Sequence, residues 1–378
     1  MRQEKKMRHV KNLIVGCGFS GAVLARKLAE DSQEDVLVID AKDHIAGNCY
    51  DYFDENGICV HKYGTHIFHT QNKEVWDFVS RFTEWNPYMH QVKGVIDGME
   101  VPIPFNLNSI ETVFPGFIAE KLEKKLVERF GYGVKVPILD LRRSKDDDLV
   151  FLAEYVYNKV FLGYTLKQWG LTPDELDPAV TGRVPVFISR DNRYFQDKYQ
   201  GIPEEGYTKL VEKMLCNPRI EVLLSCKFSE IREQVSYDRL FYCGPIDEYF
   251  DYCFGQLPYR SLRFDFFSYD LDFYQDNSVV NYPENYDFTR IGEYKYFMKK
   301  KPLMKTVISK EYPQAFAEGV NERYYPVIRE ENLQLYKRYA DLAAQQKNLY
   351  FLGRLGDYKY YDMDKAAARA LDLWRSVS

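Results

Sequence analysis

Several broad classes are excluded by what this chain does not carry. It has no net positive charge: 51 Lys and Arg stand against 56 Asp and Glu, a formal charge of −5. A chain of that sign has no general attraction for nucleic acid or for an anionic bilayer, so neither is expected as a partner. No stretch is long and apolar enough to span a membrane, and no membrane insertion is expected. Cysteine is sparse and unpatterned. The seven cysteines, at 17, 49, 59, 216, 226, 243 and 253, are odd in number and form no C-x-x-C pair. That pattern fits a reducing, cytoplasmic setting better than a disulfide framework. No Ser-His or Cys-His nucleophile arrangement, internal repeat or low-complexity segment is found. The basic residues 2–11 precede an apolar run, as in a secretory leader, but three glycines interrupt that run.

Those glycines are the strongest positive signal. Residues 13–15 are Leu-Ile-Val, a buried-strand signature, and Gly16, Gly18 and Gly21 then form G-x-G-x-x-G around Phe19 and Ser20. Residues 22–28 are apolar at helical spacing, and a second strand at 36–39 ends in Asp40. Strand, glycine turn, helix and acid-tipped strand are the components of a dinucleotide site. Gly16 permits the tight turn, Gly18 lets the backbone approach a pyrophosphate, and Gly21 lets helix and strand pack closely. The helix N-terminus offers free N–H groups to the anion, and Asp40 is placed to accept from a ribose hydroxyl. The loop after Asp40, with His44, Gly47 and Asn48, favours FAD over NAD, because Gly47 can lie under the pyrophosphate. There is no second glycine fingerprint for a nicotinamide nucleotide. A tight turn in an ordinary α/β protein is the bland alternative.

The 378 residues suffice for two or three domains. The pattern predicts an α/β fold: a Rossmann-like FAD-binding domain with a helical insertion and an antiparallel β-sheet domain. The FAD-binding domain is expected to be discontinuous, over 1–80, 201–255 and 335–378, because a strand, glycine and helix recur near residues 348–374. Residues 105–180 read as the helical insertion with a mobile lid. Residues 81–104, 181–200 and 256–334 read as the substrate sheet, where polar and apolar residues alternate.

Residues 61–70 hold three of the six histidines, His61, His66 and His69. Their spacing does not suit one helix face, and no acid or thiol is placed in sequence to complete a metal site, so none is predicted. Backbone-satisfied histidines are the bland reading. The alternative is a strand and turn against a flavin ring, with His66 and His69 hydrogen-bonding its edge.

Tyrosine is abundant, 31 residues, and it clusters with arginine and tryptophan. Tyr164, Trp169 and Arg183 form one group. Arg193, Tyr194 and Phe195 form a second, and Arg290 a third. Arg323, Tyr324 and Tyr325 follow, then Arg354, Tyr358, Tyr360, Tyr361 and Asp362. Singly, these are core tyrosines and surface ion pairs. Jointly they match a nucleoside diphosphate: Arg forks fit phosphate oxygens, and aromatic faces stack on a base.

Ten segments in order resemble the UDP-galactopyranose mutase family across nearly the whole chain. They are GCGFSGAVLA from Gly16, HIAGN from His44, HKYGTHIFHT from His61, GYTLKQWG from Gly163 and DNRYFQDKYQGIP from Asp191. GPIDEYFDY from Gly244, YRSLRF from Tyr259, EYP from Glu311, YYPV from Tyr324 and FLGRLGDYKYYDMD from Phe351 complete the set. The resemblance implies interconversion of UDP-galactopyranose and UDP-galactofuranose, a redox-neutral ring contraction serving cell-surface polysaccharide. It implies reduced FAD, with N5 as nucleophile at the anomeric carbon and UDP as leaving group, and NADPH or another donor as reductant. It implies Arg183 and Arg290 on the diphosphate, with Arg183 on a lid. Tyr164, Trp169 and Phe195 fall on the uridine side, and Tyr194, Tyr325 and Tyr360 on the diphosphate. His66, His69, Arg354, Asp362 and Met363 fall around the flavin. Arg183, Arg290 and His69 are the implied catalytic set, and a homodimer is the implied assembly. Thr65 departs from the Pro or Ala usual at its position. Alternatives are the same chemistry on UDP-N-acetylgalactosamine or a related UDP-sugar, and an amine-oxidase-like flavin oxidoreductase.

Overall fold

A computed structural model describes residues 8–175 and 185–378. Five parallel strands form the first sheet, in the order Ile220–Leu223, Val36–Ile39, Arg8–Val15, Val235–Tyr242 and Leu349–Phe351. Leu13, Ile14 and all of Val36–Ile39 are buried, as expected of strands covered on both faces. The helices Phe19–Glu30 and Met363–Val377 pack against each other, and Tyr207–Leu215 packs beside the first. Their apolar stripes build one core around Leu24, Leu28, Phe241 and Leu371. The chain's first segment, its middle and residues 349–351 therefore share one sheet.

The second large sheet has seven strands, ordered Tyr325–Pro326, Tyr259–Tyr269, Thr306–Ala315, Arg290–Glu293, Val279–Asn281, Val92–Ile96 and Met99–Ile103. It was expected to be antiparallel, and all its pairings are except one: Val279–Asn281 runs parallel to Val92–Ile96. Those two strands come from distant segments, so no hairpin turn dictates their direction. A hairpin does join Val92–Ile96 to Met99–Ile103, through Asp97 and Gly98 at φ of 50° and 78°. Asp-Gly suits that two-residue turn. A smaller antiparallel sheet, Phe68–Thr70, Tyr199–Pro203 and Trp85–Pro87, carries His69.

Helices Leu107–Val113, Gly116–Phe130, Ile138–Arg142 and Asp147–Val156 follow the seven-stranded sheet's hairpin. A π-helical turn, Tyr157–Leu162, links the last of them to the helix Gly163–Trp169. A π turn resets the angular phase of a helix, so the two segments it joins present different faces. Of residues 181–200, expected in the substrate sheet, the described part holds the short strand Val186–Phe187 and the first residues of Tyr199–Pro203, which join smaller sheets instead. The bend between is braced by Asp191, which accepts from Arg193 Nε and Nη2 at 2.7–3.0 Å.

Candidate active site

The glycine turn is built by exclusion of side chains. Gly16 has φ of 110°, and a Cβ there would lie 2.8 Å from Cys243 Cβ. A Cβ on Gly21 would lie 2.0 Å from the Gly16 carbonyl oxygen. The loop after Asp40 folds back on this turn: Ala46 N–H donates to the Cys17 carbonyl at 2.9 Å, and a Cβ on Gly47 would lie 2.9 Å from Gly18 Cα. Asp40 accepts from Cys17 N–H at 2.7 Å and Lys42 N–H at 2.9 Å, one on each oxygen. Lys42 also donates to Asn48 Oδ1 at 3.4 Å and pairs with Glu322. Phe19 is buried against Phe68, and Ser20 lies beside Gly353. The N-terminal end of Met363–Val377, with Asp362 and Met363, closes the same region.

The three histidines divide. His61 is buried, stacks on Phe297, and accepts from His66 N–H at 3.0 Å. Burial pushes its imidazole down to about 3, so it is neutral. His66 is likewise lowered to about 3, first by burial and then by His61. A neutral His66 donates from Nδ1 to the Gly64 carbonyl at 2.7 Å, which leaves Nε2 as an acceptor. His69 lies with Nδ1 2.6 Å from Asp197 Oδ2 and stacks on Phe195 at 3.5 Å between centroids. Phe195, expected on the uridine side, and His69, expected beside the flavin, thus meet directly. Asp51, Cys59 and His61 also converge, with their donor atoms within 4.8 Å. The Asp51 carboxylate is engaged by the N–H groups of Tyr207 (2.6 Å) and Thr208 (2.9 Å), as a helix cap. None of these three lines the cavity.

The arginine and aromatic groups sort into two kinds. Arg193 is taken up by Asp191 as an ordinary ion pair, and Arg323 pairs with Glu248 while its Nε stays buried without a partner. Arg290 is different. Its Nη2 donates to Tyr164 Oη, its Nε stands 3.7 Å from Glu311 Oε2, and that Nε is buried without a hydrogen bond. Glu311 is its cross-strand neighbour. Burial pushes the Glu311 carboxyl up, and Arg290 partly offsets that. Tyr325 and Tyr360 stack at 5.1 Å, with Trp169 5.8 Å and 6.1 Å from them. The Arg354 guanidinium lies 5.0 Å and 5.2 Å from the same two rings. Tyr194 meets Phe195 edge-on at 4.9 Å.

One cavity of about 1150 Å³ unites both ends. Gly16, Gly18, Phe19, Ser20, Gly21, Asp40, Gly47, Asn48, His66, His69, Arg354, Asp362 and Met363 all line it, as do Tyr164, Trp169, Tyr194, Phe195, Arg290, Tyr325 and Tyr360. Arg183, expected on a lid, lies outside the described residues. The volume exceeds the roughly 300–1,000 Å³ of a single small-molecule site. Six buried polar atoms without partners belong to residues lining it: His90 Nδ1, Gln168 Oε1, Gln196 Oε1, Asn281 Oδ1, Arg290 Nε and Arg323 Nε. Seven others lie elsewhere among the described residues, so these six mark hydrogen-bonding capacity open to a polar ligand without being confined to the cavity. The bare glycine cradle at the other end fits the pyrophosphate of a dinucleotide. His90, Gln168, Asn281, Asp197 and Glu311 were not anticipated as site residues. Each is brought in by tertiary pairing; Glu311 in the EYP segment, Gln168 in GYTLKQWG and Asp197 in DNRYFQDKYQGIP fall within segments that carry the family resemblance, whereas His90 and Asn281 fall in none.

The profile of the UDP-galactopyranose mutase family matches residues 159–360, and that of an NAD(P)-binding Rossmann-like domain matches residues 14–82. A probable UDP-galactopyranose mutase of Klebsiella pneumoniae is 38% identical over 97% of this chain and 94% of its own length. A dTDP-fucopyranose mutase of Escherichia coli is 37% identical over 96% of this chain and 97% of its own. Among solved structures, a reduced UDP-galactopyranose mutase superposes with a TM-score of 0.72 at 16% identity, over 97% of this chain and 93% of that one. A putrescine oxidase superposes at 0.61 and 9% identity, over 98% and 99%. The α/β fold is therefore of the flavoenzyme type, and among flavoenzymes of that type the chain belongs to the UDP-galactopyranose mutase family of isomerases.

Proposed function

We propose that the protein interconverts UDP-galactopyranose and UDP-galactofuranose, with FAD as its cofactor. The observation that carries this reading is the single cavity joining a side-chain-free glycine cradle to the Arg290, Tyr164 and Trp169 group. Gly16, Gly18, Gly47 and the N-terminus of Phe19–Glu30 would hold the pyrophosphate, and Asp40 the ribose. His66, His69, Arg354 and Met363 would surround the flavin. Reduced FAD, when bound, supplies a nucleophilic N5 for the anomeric carbon, with UDP as leaving group. Arg290, steered by Tyr164, holds the diphosphate so that the leaving nucleotide stays beside the sugar. Arg183 is assigned to the same diphosphate by the family resemblance. The stacked Tyr325 and Tyr360, with Tyr194, line the diphosphate path, and Trp169 and Phe195 flank the base. The reductant is assigned as NADPH or a similar donor, the setting as cytoplasmic and the assembly as a homodimer. No helix among the described residues is long and apolar enough to cross a membrane.

A second reading is supported by one finding: the dTDP-fucopyranose mutase is 37% identical, against 38% for the Klebsiella protein. Thymidine and uridine diphosphates present the same phosphates to Arg290, so the cavity walls must discriminate between them. Incubating dithionite-reduced protein with UDP-galactofuranose or with dTDP-fucopyranose, and separating the products by chromatography, decides between them. Conversion of the first alone is expected. Failure of both, in flavin-loaded protein, would overturn the proposal.

A further inference from the structure

Two cations stand behind the wall that carries Tyr164, Gln168 and Trp169, and among the described residues neither is in an ion pair. The Lys167 ammonium donates to three backbone carbonyls, those of Tyr282, of Glu284 at 3.0 Å and of Phe288 at 3.1 Å. Arg260 donates from Nε to the Gln168 carbonyl at 2.8 Å and from Nη2 to the Lys167 carbonyl at 3.0 Å. Neither residue lines the cavity.

The helix Gly163–Trp169 divides its labour by face. Gly163 and Lys167 are four residues apart and share one side. That side abuts the loop 282–288: a Cβ on Gly163 would lie 2.3 Å from the Pro283 carbonyl oxygen. Tyr164 and Gln168, also four apart, share the neighbouring side and line the cavity. The loop leads directly into Arg290, and Tyr282 N–H closes it by donating to the Thr289 carbonyl at 2.8 Å. At the helix's other end the carbonyls that would lack partners are met by Arg260, whose strand partner is Tyr325. Lys167 thus ties the helix to the strand of Arg290, and Arg260 ties it to the strand of Tyr325.

We propose that Lys167 and Arg260 are positioning residues that lock the base-side wall against the two strands presenting Arg290 and Tyr325, and so set affinity for a nucleoside diphosphate from outside the cavity. This rests on the nucleotide-sugar reading given above. An ammonium spread over three carbonyls and a guanidinium fork over two leave the helix no freedom to rotate. Without them Tyr164 and Gln168 would still be present but no longer held in register with Arg290.

Lys167→Met, which keeps the aliphatic stem, and Arg260→Lys, which keeps the charge but loses the fork, test this. UDP binding by calorimetry, KM, kcat at saturating substrate, bound FAD and thermal unfolding are read for each. Lys167→Met is expected to weaken UDP binding and raise KM about tenfold, with kcat falling by much less than KM rises and FAD content unchanged. Arg260→Lys is expected to weaken UDP binding about threefold. Unchanged UDP affinity in folded Lys167→Met protein would overturn the inference, as would a fall in kcat that matches the rise in KM. If Lys167→Met does not fold, unchanged UDP affinity in Arg260→Lys overturns it instead. A wild-type protein that binds FAD but not UDP would sink the nucleotide-sugar reading rather than this tie.

Discussion

The two ends of the cavity are built by opposite means. At the glycine end the shape comes from atoms that are missing, and most of the segment is contiguous: Gly16 to Gly21, then Ala46 to Asn48. At the nucleotide end the shape comes from large side chains drawn from five separate stretches: the helix Gly163–Trp169, residues 194–197, Arg290, Tyr325 and Tyr360. A surface made of backbone has few ways to vary without losing its purpose. A surface made of Tyr, Trp, Gln and Arg can be edited one position at a time. That contrast fits two relatives of nearly equal identity whose names carry different sugars and different bases.

If the glycine end tolerates no added atom, Gly21→Ala should show the largest effect of any single change. Its methyl would lie 2.0 Å from a backbone oxygen that is fixed by the strand. The expected result is protein without bound flavin or without a fold, read from the visible spectrum and yield. A yellow, stable Gly21→Ala protein would break the comparison at its stronger end. Arg290→Ala tests the other end. Turnover should drop about 100-fold while flavin stays bound, since the departing phosphate loses a positive charge. Near-normal kcat with saturating substrate would remove Arg290 from that role.

Acid stability depends on one buried histidine at the nucleotide end and one outside the cavity. His61 and His90 are buried and held neutral, each lowered to about 3, chiefly by burial. In the unfolded chain they take up protons near 6.5. The unfolded state therefore binds more protons between those values, and stability falls as pH drops from about 6.5 toward 3. Each histidine is expected to cost roughly 2 kcal/mol at pH 5. Thermal melts at pH 7.5 and pH 5 should differ, and His90→Phe should shrink the difference. A melt independent of pH across that range would mean these imidazoles are not sealed.

Smaller effects sharpen the picture at the nucleotide end. Trp169→Ala should weaken UDP binding about tenfold, within the range of one lost aromatic stack, and slow chemistry less. Equal affinity in a titration would take Trp169 out of the binding wall. Asp197→Asn should be milder still, about fivefold in kcat, because an amide oxygen can still accept from His69 Nδ1 and only the charge is lost. An effect as large as that of Arg290→Ala would mean the Asp197 charge itself is used in the reaction.

The legibility of these ends in the sequence follows the same division. Gly16, Gly18, Gly21 and Asp40 were readable because one local motif demands them all, and the strands and helix around them follow from apolar spacing. Leu240 to Tyr242 could be assigned back to the first sheet because a buried apolar strand followed by Gly-Pro has few other uses. The substrate end was readable only as clusters of residue types. Sequence could not say that Arg193 belongs to Asp191 while Arg290 belongs to Tyr164, because both sit among aromatics; the first pair is local and the second spans 126 positions. His90 escaped notice because a lone histidine after a Tyr-Met pair carries no pattern. Only its packing against Tyr194 and Phe195, at 5.7 Å and 5.9 Å, brings it to the cavity. The parallel pairing of Val279–Asn281 with Val92–Ile96 was invisible for a similar reason, since strand direction between remote segments is decided by the assembled sheet.

The placement of Leu349–Phe351 at the edge of the first sheet has a consequence for synthesis. A growing polypeptide emerges from the ribosome with its glycine turn early, but Gly353 and Met363, which floor the same cradle, arrive only after some 330 further residues have been made. Until then the glycine cradle is open on one side and the edge of Val235–Tyr242 is bare. Cofactor capture must therefore be a late event, and translation pauses before residue 349 should yield ribosome-bound chains that are colourless and prone to aggregate through that uncovered edge.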